Sequence, residues 1–375
     1  MVKLAKATYT YGDCAKKYAG LSDTVYTVMS YNDYANHGPY KDNYGNVMTI
    51  INDCNPDIVG MQEIQTEHVT KYYLANGLKD EGNGCYSGVV GDGVGAYAGV
   101  YYWATPAAPN RADYPDDEEG QKLYDYKKEC YDGEMINRGG DLILYKKDKF
   151  EIVKDANGVE VKGHFWLTDT PDVPSILPNT EYTQCVMYIL FRDKQTGKEF
   201  LHINTHVSYL AANTRQVEII MELFEEGGDK NSCVQKHAGV DITSYRKIYT
   251  ADWNCQKFEK GYSVMNNNGY MATEEMLPDA YKPSTTVNGG GYIDFCFIKS
   301  SEFKTLKYKV INDHPLALLT SDHYPVFSKI VWVEEYEDVL LSTLINGFPV
   351  PPENPKYDNF GDDFLTEDDR EGFFN

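Results

Sequence analysis

Short polar clusters stand at the ends of strand-like apolar runs along this chain, in the order Asn32, Gln62-Glu63, Asn204-Thr205-His206, Asp252-Trp253-Asn254, Asp294 and Ser321-Asp322-His323. Folded chains ordinarily keep carboxylates and histidines off the ends of buried strands. An unsatisfied buried polar atom costs about 1–3 kcal/mol, and an unpaired charge costs more. A chain that breaks this habit repeatedly is constrained to bring those strand ends together, so that the polar groups meet in one shared site.

The runs also give an order of elements. Val25 to Tyr31 alternates β-branched and polar residues and reads as a strand that delivers Asn32 at its C-terminal end. A helix is expected over Asn43 to Cys54, where Val47, Ile50, Ile51 and Cys54 form one apolar stripe, and Asn55-Pro56 stops it. Asp57 to Met61 is a buried-strand run carrying Gln62 and Glu63, and Thr66 reads as the cap of a second helix holding Val69, Tyr73 and Leu74. Gly82 to Glu134 is rich in Gly, Tyr, Pro and Asp, with two strand-like stretches and an acidic excursion around Pro115 to Gly120; it is expected to be an insertion or a mobile rim. Paired strands are expected at Asp141 to Lys146 and Phe150 to Lys154. A hairpin of Gln184 to Arg192 and Glu199 to Asn204 follows, about the turn Lys194-Gln195-Thr196-Gly197. Asn213 reads as the cap of an amphipathic helix with Val217, Ile220, Met221 and Phe224 on one face. Strands at Lys247 to Ala251, Tyr292 to Ile298 and Tyr324 to Val333 complete the alternation. The predicted organisation is an N-terminal extension over 1–24, one domain over 25–333, and an acidic tail over 334–375 that is surface-packed or disordered.

Bulk properties narrow the function. At 375 residues and 42% hydrophobic content the chain can bury a large core. Asp+Glu 57 against Lys+Arg 35 gives a net charge of -22, a field that repels polyanions and disfavours, without excluding, a nucleic-acid substrate. The eight cysteines contain no C-x-x-C pair, and Cys54 and Cys296 read as small buried hydrophobes. No run approaches the ~20 apolar residues of a membrane helix, and Met1 to Gly20 has no continuous apolar stretch. A soluble monomer is expected, cytoplasmic rather than secreted. Gly91-Asp92-Gly93-Val94-Gly95-Ala96 matches a dinucleotide-binding pattern by letter, but strand-like text follows where a helix is required.

Each cluster has a chemical reading beside a bland one. Glu63 suits a hard divalent cation, which takes one or two carboxylates and fills its octahedron with waters and phosphate oxygens; otherwise it is a rim carboxylate. Asn32 offers a neutral oxygen or orients Glu63, or is a turn residue. Asp252 and Asn254, as alternate residues of an extended segment, share a face on which they orient a water and donate to a phosphoryl oxygen, with Trp253 turned to the core; an Asx turn is the alternative. His323 can act near neutral pH, and Asp294, within an apolar strand, is a fitting partner for its N–H. His206 ends its strand, whereas His202, of the same parity, reads as a core or surface histidine.

Six clusters in this order resemble the endonuclease/exonuclease/phosphatase superfamily, the DNase I-like fold, over Val25 to Val333. Leu142 to Phe150 and Phe165 to Pro171 resemble a largely uncharacterised bacterial branch of it. Two departures stand out. Val207-Ser208-Tyr209 occupies the place where that branch carries Leu-Asp-His, and Ser30-Tyr31 precedes Asn32 in place of the usual Thr-containing text.

The resemblance implies a four-layer α/β sandwich of two mainly antiparallel sheets with helices outside. It implies metal-assisted hydrolysis of a phosphate ester, with Mg²⁺ or Mn²⁺ held by Glu63 helped by Asn32, and Asp322 as a second ligand or a link to the water. Asp252 would orient the attacking water and Asn254 would hydrogen-bond the phosphoryl group. His206, and His323 steered by Asp294, would serve as acid, base or oxyanion stabiliser. The expected substrate is a small-molecule or lipid-headgroup phosphoester, with nucleic acid as the alternative and a non-catalytic binding scaffold as the last.

Overall fold

The computed structural model describes residues 25–34, 44–64, 77–82, 85–90, 97–103, 111–132, 140–180, 183–277 and 282–340. One sheet contains β1 (Val25–Asn32), β2 (Ile58–Gln62), β3 (Leu78–Gly82), β4 (Cys85–Val90), β5 (Tyr97–Trp103), β6 (Gly140–Lys146), β14 (Phe303–Val310) and β15 (Val326–Trp332) in the order β14-β15-β1-β2-β6-β5-β4-β3. The other contains β7 (Phe150–Ile152), β8 (Lys162–Trp166), β9 (Cys185–Asp193), β10 (Glu199–His206), β11 (Lys247–Asp252), β12 (Tyr270–Ala272) and β13 (Asp294–Lys299). Its order is β12-β13-β11-β10-β9-β7, with β8 also paired to β9.

Three apolar clusters define four layers. Tyr26, Val28, Ile58, Ile143, Met187, Ile189, Phe191 and Ile248 face one another between the sheets. The stripe Val47, Ile50, Ile51, Cys54 of helix α1 (Tyr44–Cys54) covers Met29, Tyr31, Val59 and Met61 on one outer face. Val217, Ile220 and Phe224 of a second helix, Asn213–Phe224, cover Leu201, Ile203, Tyr249 and Ala251 on the other. The strands buried on both faces therefore read as nearly continuous apolar runs, and this is the four-layer sandwich expected from the sequence.

Most pairings are antiparallel, but β1–β2 and β10–β11 are parallel, in the registers Asn32↔Gln62 and His206↔Asp252. A parallel pair needs a crossover, supplied by α1 in one sheet and by Asn213–Phe224 in the other. Each sheet thus places two C-terminal strand ends side by side, which is where α/β sheets offer their binding crevice.

The structure corrects several sequence expectations. Gly82 to Glu134 is not an insertion in its described parts. β4 and β5 extend the first sheet, and Glu118–Asp132 is a helix, here α2, with Glu118 and Glu119 in the first turn and a Glu118–Lys122 ion pair. Tyr97 and Tyr101 of β5 are core residues whose hydroxyls reach carbonyls distant in sequence: Tyr97 donates to Pro56 O and Tyr101 to Ile64 O. β6 and β7 do not pair; the chain crosses between the sheets over residues 147–149. The helix Asn213–Phe224, α3, starts on Ala212 as its cap, without a side-chain capping bond from Asn213. After β15, residues 336–340 are helical and Val339 is buried with Val25 and Val331, so the tail is packed at its start. The helix expected after Thr66, the extension over 1–24 and the tail beyond 340 lie outside the described residues. Among the described residues no helix is long and apolar enough to cross a membrane.

Candidate active site

At one end of the sandwich the two parallel pairs meet. Gly60 in the middle of β2 is the point of contact: a Cβ there would lie 1.9 Å from Thr250 Oγ1 and 2.4 Å from Asn204 Oδ1. Through this gap the Asn204 amide bridges the sheets. It donates to Met61 O (2.8 Å), while its Oδ1 accepts from Gln62 Nε2 (2.7 Å) and Thr250 Oγ1 (3.0 Å). Thr250 and Gly60 were missed in the sequence, although a glycine inside an apolar strand marks a close approach of another chain segment. His202 lies in this layer, fully buried, with Nε2 on Thr250 Oγ1 at 3.1 Å, and burial pushes its pKa down to about 3. It is a core histidine, as its place in the pattern suggested.

Beyond the strut, five of the six clusters converge on Asp252, while the fourth-cluster residue Asp252 itself sits at the centre, 1% exposed. Asn32, at the end of β1, donates from Nδ2 to Asp252 Oδ2 (2.9 Å) and to Glu63 Oε1 (3.0 Å). Its Oδ1 accepts from Tyr34 N at 2.9 Å, so the amide nitrogen, not the oxygen, faces the carboxylates. Glu63 follows β2 in the left-handed region, φ +57, which turns its side chain toward the second sheet. His206 Nε2 stands 3.5 Å from Asp252 Oδ2 and 3.9 Å from Glu63 Oε1.

Asp252 and Asp294 are directly opposite in the β11–β13 pair. Two like charges so placed would repel. His323 resolves the conflict, with Nδ1 on Asp294 Oδ2 at 2.9 Å and Nε2 3.7 Å from Asp252 Oδ2. Burial works against its charge, but the Asp294, Asp252 and Asp322 carboxylates outweigh it and hold the imidazolium well above the ordinary histidine range. The loop carrying it is tied to β1: Ser321 Oγ donates to Asn32 O (2.7 Å), and Tyr31 donates to Thr320 Oγ1 (2.7 Å). Asp322 Oδ1 lies 3.9 Å from His323 Nε2; burial, reinforced by Glu63 and Asp252 and opposed by His323, pushes its carboxyl up to about 6.

Asn254 is not in an extended segment with Asp252. Its φ is +45 and its N–H donates to Asp252 Oδ1 (2.9 Å), an Asx turn that carries Trp253 into the core. Its amide faces Val207 O at 3.0 Å and His206 Nε2 at 2.8 Å. A carbonyl can only accept, so the atom facing it is the NH₂, and its second hydrogen points at Nε2. The Asn254 amide nitrogen thus ties His206 Nε2 to the Val207 carbonyl.

Ligand atoms of Glu63, His206 and Asp252 lie within 4.8 Å of one another, as do those of Asp252, Asp294 and His323. Asn254 already occupies His206 Nε2 at 2.8 Å, and His323 is committed to Asp294. Within these two groups, what remains for a hard cation is the carboxylate pair Glu63 and Asp252; Asp322, expected as a second ligand, belongs to neither group. Glu63 has an 11% exposed side chain, and Asn32 engages one of its two oxygens. Such a set fits a cation that takes few protein ligands and keeps waters.

The sequence profile of the Endonuclease/Exonuclease/phosphatase family matches residues 35–323. The chain belongs to this family. Solved structures share its fold. An endonuclease/exonuclease/phosphatase from Bacteroides vulgatus is 17% identical with a TM-score of 0.54, covering 82% of this chain and 99% of that one. The mannosyl-6-phosphatase Bt3783 of Bacteroides thetaiotaomicron is 19% identical at a TM-score of 0.51, covering 82% and 99%. The human Nocturnin catalytic domain with bound sulfate is 16% identical at 0.53, covering 83% and 94%. No curated protein matches the chain significantly.

Proposed function

We propose that this family member is a Mg²⁺- or Mn²⁺-dependent hydrolase of phosphoesters, acting by in-line attack of water, on a small or lipid-linked substrate. The observation that carries the reading is Asp252, a buried carboxylate ringed by the Asn32 amide at 2.9 Å, His206 at 3.5 Å and the His323 imidazolium at 3.7 Å, with Glu63 alongside. A carboxylate so restrained is suited to orient a water for attack on phosphorus.

Glu63 and Asp252 would hold the cation, with Asn32 fixing their separation. When bound, it neutralises charge on the phosphoryl group and the leaving oxygen. Asp252 orients the water and accepts its proton as the water oxygen bonds to phosphorus and the bond to the leaving oxygen breaks. His323, its Nδ1 held by Asp294, presents Nε2–H to the charge that builds, either on a phosphoryl oxygen or on the departing one. Both amide hydrogens of Asn254 are engaged, so its task here is to fix His206 rather than to reach the phosphoryl group. Asp322 lies on the Nε2 side of His323 and adds to the field that keeps it charged.

A family name spanning nucleases and phosphatases, and a structural neighbour named a mannosyl-6-phosphatase, support a phosphoester as the substrate class. The net charge of -22 favours a single phosphate over a long polyanion. The test is an initial-rate screen with Mg²⁺ or Mn²⁺ over small monoesters and diesters, lipid headgroup esters, plasmid and single-stranded RNA at two salt concentrations. Efficient plasmid nicking that falls steeply with salt would move the assignment to a nuclease. No hydrolysis of any ester would overturn it.

A further inference from the structure

The site residues on β10 and β11 are followed by two turns, 207–212 and 253–259, and one buried side chain outside every motif fastens them together. Asn213, the first residue of α3, is 9% exposed. Its Nδ2 donates to Ser208 O (2.7 Å) and Trp253 O (2.8 Å), with Asn254 O at 3.4 Å. Its Oδ1 occupies the space above Gly261, where a Cβ would stand 2.2 Å away. A neighbouring amide completes the frame: Gln216 Oε1 accepts from Ser208 N (2.7 Å), and its Nε2 donates to Gln184 Oε1 (2.7 Å).

The two carbonyls that Asn213 holds flank the Asn254–His206 contact. Ser208 lies two residues past His206, and Trp253 lies between Asp252 and Asn254. Asn254 itself sits in the left-handed region at φ +45, which an asparagine tolerates but which the surroundings must maintain. From these bonds we infer that Asn213, seated on Gly261, is a positioning residue for the reaction. Its carboxamide holds the two turns so that the Asn254 amide stays against His206 Nε2 at 2.8 Å. It touches no reacting atom and acts through Asn254.

The clasp is tested by Asn213→Ala, which removes the donor, and by Gly261→Ala, which displaces the same amide from the opposite side. The first readout is the histidine ring ¹H–¹³C spectrum of the protein in chelator at neutral pH, in which both variants should displace the His206 signals while those of His202 stay in place. The second is steady-state kinetics with Mg²⁺ on bis(p-nitrophenyl) phosphate, which rests on the phosphoester reading above. A misplaced group costs about 10²-fold, so kcat should fall by about 10–100-fold with KM within about twofold, at temperatures where both variants remain folded. A purely structural asparagine would lower the melting temperature and leave the His206 signals and kcat of the folded protein unchanged, and that result overturns the inference. If the parent turns over no ester, the proposed activity fails while the spectrum still decides the clasp.

Discussion

Gly60→Ala isolates the contact on which the site depends. The added methyl would fall 1.9 Å from Thr250 Oγ1 and 2.4 Å from Asn204 Oδ1, closer than any real carbon contact. Either the Asn204 and Thr250 side chains leave their places or the sheets part. Overpacking of this kind costs about 1–3 kcal/mol. Displacing Asn204 breaks its bonds to Met61 O, Gln62 and Thr250, and a buried polar atom left unpaired costs about another 1–3 kcal/mol. The total is on the order of 4 kcal/mol, or a melting temperature about 5 °C lower for a chain of this length. Activity should suffer more than folding does, because Asn32 and Glu63 belong to one sheet and His206 and Asp252 to the other; a shift of about 1 Å between them costs about 10²-fold in turnover. Gly45→Ala is the matched control, since nothing lies within 4 Å of its Cβ position. Thermal melts and initial rates of the three proteins check this. A Gly60→Ala protein that melts within about 2 °C of the parent with unchanged turnover would refute the strut.

Chelation should abolish hydrolysis and Mg²⁺ or Mn²⁺ should restore it, with Glu63→Gln weakening cation affinity measured by calorimetry at an unchanged melting temperature. His206→Ala and His323→Ala should each lose about 10²–10⁴-fold in rate, whereas His202→Ala should lose stability rather than chemistry, which rates normalised to folded protein will separate. Asp57 tests the far end of the sandwich. Burial raises its pKa, but Lys149 at 2.8 Å and Lys146 at 3.2 Å bring it from 3.8 down to about 2. At about 1.4 kcal/mol per tenfold change in proton affinity, that is worth about 2 kcal/mol. Because the folded value is depressed, this stability is present above pH 3.8 and is lost as pH falls toward 2. Urea melts of Asp57→Asn should therefore trail the parent by about 2 kcal/mol at pH 7 and by visibly less at pH 3; a gap that does not narrow contradicts the ion-pair account.

What the sequence could reveal and what it could not divide along physical lines. The strand ends were legible because a two-residue period and a terminal polar residue are local signals, and Asn32, Glu63, His206, Asp252, Asp294 and His323 all lie at or beside such ends. Sheet membership was not local. β6 and β7 are separated by a short turn yet belong to different sheets, and β7 joins the second by pairing with β9, a partner more than thirty residues further along the chain. The tyrosines of β5 looked like rim residues because their hydroxyls are polar, and the carbonyls that satisfy them belong to Pro56 and Ile64, distant in sequence. Asn213 had the position of a helix cap, but a carboxamide that can cap can equally tie two turns, and spacing does not distinguish the two uses. Asn254 failed the parity argument for a similar reason, since parity holds only while the backbone stays extended and Asn254 has a φ of +45.

These misreadings share one cause, which bears on how the site works. Within each sheet, register fixes the neighbours: Asn32 beside Gln62, His206 beside Asp252, Asp252 opposite Asp294. Between the sheets no register exists, and the separation of Glu63 from His206 is set by side chains that carry no chemistry of their own, Asn204, Thr250 and the absent Cβ of Gly60. Asn32 spans the same gap from the first sheet to Asp252. The reactive geometry is therefore as sensitive to the polar layer beneath the cleft as to the residues lining it, and substitutions in that layer should reduce turnover before they unfold the chain.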